Sequence, residues 1–185
     1  AAERIKWYRE MFGFVCSDDV YAESKDNIIA TFNRCDRGEE YVDHHVLLCV
    51  EGERAGLNHL SFEVQGIDDV MLGHEHMREV GKYEHVWGIG RHVLGSQIFD
   101  YWEDPWAAKH EHYCDGDVFT AERPMGVHPV SREAMSQWGQ PMPASFPKPK
   151  PPPTAFRALT RNPRPRPAPS GPNHTPPATT LRDPN

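Results

Sequence analysis

The sequence predicts an α+β fold built from two related modules and a proline-rich tail. Residues 1–54 have the pattern of a helix followed by three strands, and residues 55–120 have the order β-α-β-β-β. The first module therefore looks like the second with its opening strand absent. The two patterns form an internal repeat of about 55 residues.

The first module opens with a predicted helix over residues 2–12, because apolar side chains recur at helical spacing at Ile5, Tyr8, Met11 and Phe12. Gly13 is a suitable C-cap for this helix. Polar turns such as SKDN and RCDRGEE then separate three predicted strands, near 14–22, 27–33 and 44–50.

The second module opens with the alternating segment HLSFEV at 59–64, which is typical of a strand. Asp68 or Asp69 is the expected N-cap of a helix that runs to about Val80. Strands are then predicted at about 84–87, 96–102 and 109–114.

We therefore divide the chain into a paired-module domain over 1–120, a C-terminal extension over 121–140 and a tail over 141–185. The tail holds 15 of the 18 prolines and few apolar residues, so it is expected to be disordered. Its PKPKPPP run fits an SH3 or WW ligand, but a solvated tail without a partner is favoured.

Charge and composition exclude several classes of protein. Residues 1–140 carry 13 Lys/Arg against 26 Asp/Glu, so this part is acidic and nucleic acid is not an expected partner. No apolar run reaches the ~18–20 residues needed to cross a bilayer, so no membrane partner is expected either. The four cysteines are scattered and no secretory signal precedes them, which favours free thiols and a cytoplasmic location.

Residues 88–117, GIGRHVLGSQIFDYWEDPWAAKHEHYCDGD, carry the chemistry of the sequence. They place His92, Tyr101 and Glu111 on adjacent predicted strands, and His59 lies upstream in GLNHLSF. Imidazole and carboxylate are the ligand types of mononuclear metal sites.

Strand alternation leaves two arrangements open around Glu111, because His110 and His112 flank it. Either Glu111 faces the site and both histidines face away, or the histidines form an HxH pair. In the second arrangement, which we favour less, His85 or His128 would complete a zinc site. Similarly, only one of His44 and His45 is expected to face the site, and the register with His59 favours His45.

Several motifs together resemble the catalytic domain of the extradiol ring-cleaving dioxygenases, in the vicinal oxygen chelate superfamily. The His59 strand and its IDDV helix are followed by GRHVLGS, FDYWEDP and HEHYCDGD, in the order and spacing of that family. The likeness covers about residues 1–120. It implies two βαβββ modules that pair around a metal site.

The resemblance also implies roles for five residues. His59 and Glu111 match two of the three protein ligands of Fe(II), with Mn(II) as the alternative ion. His45 matches the acid-base histidine, while His92 and Tyr101 match residues that hydrogen-bond the substrate or oxygen. The implied partners are a small aromatic diol and O2, and such enzymes commonly assemble, which allows a homo-oligomer.

The sequence departs from the family at its start. The remaining ligand of the family is a histidine on the opening strand of the first module, and neither that strand nor that histidine is present here. We therefore expect an N-terminally truncated member with an exposed sheet edge and impaired metal binding. The alternative functions are a non-catalytic binding protein and a glyoxalase-type isomerase of the same superfamily.

Overall fold

The structure is a computed structural model that describes residues 2–53, 55–131 and 135–146, all within one compact unit. The elements of the first half are α1 (Ala2–Phe12), β1 (Phe14–Tyr21), β2 (Ile28–Cys35), β3 (Val42–Asp43) and β4 (Leu47–Val50). The elements that follow are β5 (His59–Glu63), α2 (Ile67–Val80), β6 (Glu84–His92), β7 (Ile98–Glu103), β8 (Lys109–Cys114), β9 (Val118–Phe119), β10 (Gly126–Pro129) and β11 (Ser136–Gly139).

The first sheet has the strand order β10-β1-β2-β4. β1, β2 and β4 pair antiparallel in chain order, as the sequence predicts for the first module. β10 pairs parallel with the outer edge of β1, so the fourth strand comes from the C-terminal extension. β4 is the terminal strand at the other edge. Half or more of the surface is exposed at Val50, its last residue, and at Val46, which precedes it.

The second sheet has the order β11-β6-β7-β8-β5. β6, β7 and β8 form an antiparallel meander, and β5 pairs parallel with β8. β11 extends this sheet along β6, so the extension contributes a strand to each large sheet. A two-stranded ladder of β3 and β9 joins segments from the two modules.

The predicted α+β class is confirmed, and the longer elements follow one another in the predicted order, with the short strands β3 and β9 in addition. Gly13 ends α1 with a φ of 68°, and its N–H donates to the carbonyl of Arg9 at 2.9 Å, as a C-cap glycine does.

The predicted N-cap of α2 was wrong. Gly66 occupies that position without a side-chain cap, and α2 begins at Ile67. Asp68 and Asp69 lie in the first turn instead, where a negative charge is favourable next to the helix dipole. Asp69 also accepts a hydrogen bond from the N–H of Gln65 at 3.1 Å.

The prediction of disorder from residue 141 was wrong for residues 141–146. Phe146 is buried in a core cluster with Trp87, Phe99 and Tyr101, and Met142 packs against that cluster. Apolar contacts of this kind offset the entropy lost on ordering the segment. The rest of the predicted tail, with its PKPKPPP motif at 147–153, lies outside the described residues.

The second sheet separates two environments. Tyr101 and Phe146 belong to the cluster on one face, whereas Val70 of α2 packs with Ile98 and Cys114 on the other. Because side chains alternate along a strand, neighbouring polar residues of β7 and β8 point into different environments. No helix in the described ranges is long and apolar enough to cross a membrane.

Candidate metal centre

Glu111 lies at the centre of the predicted site. Its Oε2 is 3.4 Å from His59 Nε2, and its Oε1 is 3.5 Å from His92 Nε2. The three residues come from β8, β5 and β6, and the Glu111 side chain is only 7 % exposed. Long-range pairing of β5 with β8 therefore brings together the two predicted metal ligands.

Burial and the two imidazoles act in opposite directions on the Glu111 carboxyl. Burial raises its pKa, but hydrogen bonds and charge interactions with His59 and His92 outweigh burial and hold the pKa below its usual range. The carboxylate is therefore ionised at neutral pH, which is the form that coordinates a metal.

Ser61 contributes a further contact that the sequence analysis missed. It stands directly opposite Glu111 in the parallel ladder of β5 and β8, and its hydroxyl donates a hydrogen bond to Glu111 Oε2. The spacing of two residues from His59 puts both side chains on one face of β5. That spacing is the signal by which Ser61 could have been found.

Tyr101 and His92 form a hydrogen-bonded pair beside the carboxylate. His92 Nδ1 lies 3.2 Å from the carbonyl oxygen of Met135, and His92 Nε2 lies 3.0 Å from the Tyr101 hydroxyl. Burial and the nearby Glu111 raise the pKa of Tyr101 well above its usual value. Tyr101 is therefore a hydrogen-bond donor at neutral pH.

His45 lies between β3 and β4 rather than in a strand, so the predicted strand over 44–50 begins too early. The N–H of His44 donates to the carbonyl of Asp117, outside the β2 ladder, and pairing with β2 resumes where the N–H of Val46 donates to the carbonyl of Asn33. Strand alternation therefore does not govern the choice between His44 and His45. Both rings are edge to face, with their Nδ1 atoms 2.9 Å apart.

His44 connects His45 to a buried carboxylate. Asp18 Oδ2 lies 2.5 Å from His44 Nε2, and Asp18 Oδ1 lies 2.8 Å from His128 Nε2. Burial raises the pKa of Asp18, but the hydrogen bonds from His44 and His128 outweigh it and bring the pKa below its usual value. Sequence patterns alone assign no role to Asp18 or His44.

The pKa of His45 is lowered to about 3, first by burial and second by the adjacent His44. Glu111 acts in the opposite sense, and His92 and His59 also influence the ring. The pKa of His45, in the first module, therefore depends on charged groups of the second module. The predicted arrangement of the two modules around one site requires such proximity.

The HxH alternative is not assembled in the structure. Glu111 is buried with His59 and His92, whereas His110 lies 3.2 Å from Asp104 and is about one-third exposed. The proposed completing ligands are also elsewhere, since His128 contacts Asp18 and His85 contacts Asp100. Of the two arrangements left open by the sequence, the structure has the one with Glu111 facing the site.

One open cleft of about 280 Å³ lies away from this cluster, and its lining includes Phe62, Met77, Tyr83, Trp102, His110 and His112. None of the five predicted site residues lines it.

The donor set at Glu111 suits a divalent metal. A buried, ionised carboxylate and an imidazole Nε2 at 3.4 Å are oxygen and nitrogen ligands of the type that Fe(II) and Mn(II) accept. The hydroxyl groups of Tyr101 and Ser61 lie beside these two ligands. Hydrogen bonds from such neighbouring groups orient metal ligands. His59 and Glu111 therefore fit the predicted ligand role.

Comparisons with known proteins agree with the fold and the motifs. No family model matches the chain. Metapyrocatechase 2 of Cupriavidus necator is 33 % identical over 144 residues, which are 77 % of this chain and 42 % of that protein.

Solved structures give the same fold. A Mn(II)-bound glyoxalase from Novosphingobium aromaticivorans superposes with a TM-score of 0.65 at 25 % identity, over 83 % of this chain and 48 % of that one. An extradiol ring-cleaving dioxygenase from B. fuscum superposes with a TM-score of 0.65 at 20 % identity, over 78 % and 40 %.

The chain spans less than half the length of each of these three relatives. Its order of motifs, its paired sheets and its likeness to a metapyrocatechase agree with one another. The chain is similar in sequence to a metapyrocatechase and has the vicinal oxygen chelate fold.

Proposed function

We propose that this chain carries the metal-binding and substrate-binding half of an Fe(II)-dependent extradiol dioxygenase. The proposed reaction is cleavage of a catechol-type ring beside its two hydroxyls, with both atoms of O2 entering the product. The observation that carries the proposal is the buried Glu111 carboxylate held between His59 and His92, with the Tyr101 hydroxyl 3.0 Å from His92.

His59 Nε2 and a Glu111 carboxylate oxygen would hold the metal, which supplies positive charge that favours a deprotonated diol and open positions for substrate and O2. Ser61 fixes the carboxylate through its hydrogen bond to Oε2. Mn(II) is the alternative ion, because it accepts the same ligands.

His45 is the proposed proton acceptor, and its neighbours set the tautomer. The Asp18 carboxylate accepts from His44 Nε2–H, so the neutral His44 ring has its lone pair on Nδ1. The His45 Nδ1–H then donates to that nitrogen at 2.9 Å. His45 Nε2 is therefore left with a lone pair for a substrate hydroxyl proton. Because its pKa is about 3 in the metal-free chain, proton uptake requires the negative charge of a bound diol, which raises that pKa.

Tyr101 and His92 have a separate proposed role. Tyr101 keeps its proton at neutral pH, and its hydroxyl is oriented by His92 Nε2. A fixed donor of this kind stabilises negative charge that develops on a substrate oxygen, at little reorganisation cost. The stacked ring of Trp87 beside Tyr101 keeps the hydroxyl in place.

Oxygen consumption with catechol tests the proposal. The Fe(II)-loaded 185-residue chain and, if its gene encodes residues upstream, the same chain extended by them are placed in an oxygen electrode while a yellow ring-opened product is followed by absorbance. We expect the extended chain to consume one O2 per catechol. Absence of uptake from the extended, iron-loaded chain would overturn the proposal.

Two variants on β8 make the test specific. Glu111→Gln should remove Fe(II) binding and activity, because it removes the carboxylate charge. His110→Ala is the matched control, since His110 is the next residue on the same strand and contacts Asp104 instead. If both variants lose activity to the same extent, Glu111 has no special role.

A glyoxalase-type isomerase is the second candidate, favoured by the likeness to the Mn(II)-bound glyoxalase. A hemithioacetal substrate and Mn(II) separate the two reactions, because isomerisation consumes no O2. A protein that binds catechol without converting it would support the non-catalytic alternative.

A further inference from the structure

A second cluster of metal-binding side chains lies on the helix-covered face of the second sheet. It consists of His74 from α2, His85 from β6 and Asp100 from β7. One ligand atom from each residue lies within 4.8 Å of the other two. Among the described residues, these three are the group of His, Cys, Asp or Glu side chains whose ligand atoms lie this close together. The cluster at Glu111 does not meet the same distance limit.

The sheet separates this cluster from the candidate metal centre. Asp100 and Tyr101 are consecutive in β7 and therefore point to opposite faces. Tyr101 packs with Phe146, whereas Asp100 contacts the helix residue His74. The two clusters are therefore different sites.

The contacts of Asp100 are those of a metal-binding carboxylate. Its Oδ2 lies 3.0 Å from His74 Nδ1, its Oδ1 lies 2.7 Å from His85 Nε2, and its surface is fully buried. A buried carboxylate requires a compensating cation or proton donors. Without a metal, the two imidazoles supply these protons.

Small shifts would let a metal replace those protons. Zinc–nitrogen bonds of about 2.0–2.1 Å place tetrahedral ligand atoms about 3.3 Å apart. The present separations, 3.0 Å from His74 Nδ1 to Oδ2 and 2.7 Å from His85 Nε2 to Oδ1, are shorter and involve different oxygens, so one carboxylate oxygen would turn towards the metal between the two imidazoles. The His85 side chain is 33 % exposed, so water can reach this side of the cluster.

The surroundings hold the carboxylate in place. The indole N–H of Trp102 donates to Asp100 Oδ2 at 2.5 Å, and the Trp102 ring packs against both imidazoles. Gly88 allows the close approach, since a Cβ there would lie 2.7 Å from Asp100 Oδ1 and 2.9 Å from its Cα. Outer contacts of this kind raise metal affinity.

We propose that His74, His85 and Asp100 form a second divalent metal site, of the zinc type, that ties α2 to strands β6 and β7. It does not depend on the proposed function, because it shares no residue with the cluster at Glu111. The metal would replace the two hydrogen bonds between the imidazoles and Asp100 with three coordinate bonds. These bonds would stabilise the packing of α2 against the sheet.

Zinc binding by the full 185-residue chain tests this proposal. Chain stripped with a chelator is titrated with ZnCl2 by calorimetry, dialysed, and its retained zinc counted by elemental analysis. Co(II) replaces zinc in a parallel sample, because its visible absorption reports tetrahedral coordination. We expect one retained ion from this site.

The variants His74→Asn and His85→Gln separate ligation from structure. Each amide nitrogen replaces the ring nitrogen that contacts Asp100 and keeps a hydrogen bond, but amides are poor ligands for zinc. Each variant should weaken zinc binding by more than the roughly 10- to 100-fold caused by loss of an outer contact. Zinc should raise the Tm of the wild type by about 5 °C or more, and that of His85→Gln by much less.

Two controls make each outcome decisive. His76→Asn alters an exposed histidine of the same helix and should retain the zinc. Glu111→Gln should also retain it, so failure of the proposed function would leave this result unchanged. Equal zinc stoichiometry and affinity in His74→Asn, His85→Gln and the wild type would overturn the proposal.

Discussion

Tyr101 and Glu111 are directly opposite one another in the antiparallel register of β7 and β8, and both side chains are buried. The phenol is therefore held beside an ionised carboxylate, which together with burial raises its pKa. The same register places the donor hydroxyl and the predicted metal ligand on one face of the sheet. Strand pairing thus fixes the relative position of two groups with different proposed roles.

Replacing Tyr101 by Phe should slow ring cleavage while leaving metal binding intact. The change removes the hydroxyl that lies 3.0 Å from His92 Nε2 and keeps the ring that packs against Trp87. We expect turnover to fall by about 10- to 100-fold and the free energy of unfolding by about 1 kcal/mol. Tyr83→Phe is the control, because Tyr83 lines the cleft on the other face. Unchanged turnover would remove Tyr101 from the proposed chemistry.

Replacing Ser61 by Ala should weaken Fe(II) binding by about 10- to 100-fold, since outer contacts orient metal ligands. The hydroxyl is a hydrogen-bond donor to Glu111 Oε2 and lies on an exposed strand, so little stability depends on it. Iron titration of the metal-free chain measures the effect, and exposed Ser24→Ala serves as the control. An affinity equal to that of the wild type would show that Ser61 does not orient the carboxylate.

The lowered pKa of His45 predicts loss of stability in mild acid for the metal-free chain. The folded pKa is about 3, whereas the unfolded value is about 6.5. Below pH 6.5 the unfolded chain therefore binds more protons than the folded one, and stability falls as the pH is lowered. Between pH 7 and 5 this histidine should account for up to about 2 kcal/mol.

His45→Asn should flatten that dependence, because the variant has no proton to take up on unfolding. Urea unfolding at pH 7, 6 and 5 measures the free energy for both chains. Parallel curves for the variant and the wild type would mean that His45 has an ordinary pKa in the folded protein.

Replacing Arg34 by Lys should destabilise the fold by about 2–4 kcal/mol. The Arg34 guanidinium is buried and donates to five acceptors: the carbonyls of Cys16, Thr120, Ala121 and Arg123 and the hydroxyl of Ser17. An ammonium cannot reach this divided set. Thermal unfolding measures the loss, and Arg37→Lys, an exposed residue paired with Glu40, should be close to neutral. An equal loss of stability in Arg34→Lys and Arg37→Lys would show that the five hydrogen bonds of Arg34 do not stabilise the fold.

The sequence by itself determined the local elements. Helical spacing and Gly13 defined α1, and alternation in HLSFEV and HEHYCD predicted β5 and β8. Order and spacing of the GRH, FDYWEDP and HEHYCDGD motifs identified the fold and the candidate residues. These properties depend on neighbours a few residues apart, which is the range over which helix and strand periodicities act.

Tertiary structure alone decided the contacts between distant residues. It placed Phe146 in the core, added β10 and β11 to the two sheets, and linked His45 through His44 to Asp18. It also brought His74, His85 and Asp100 within ligand distance of one another. Local periodicity carries no signal for such contacts, because they depend on which sheet edges are free and which buried charges need partners.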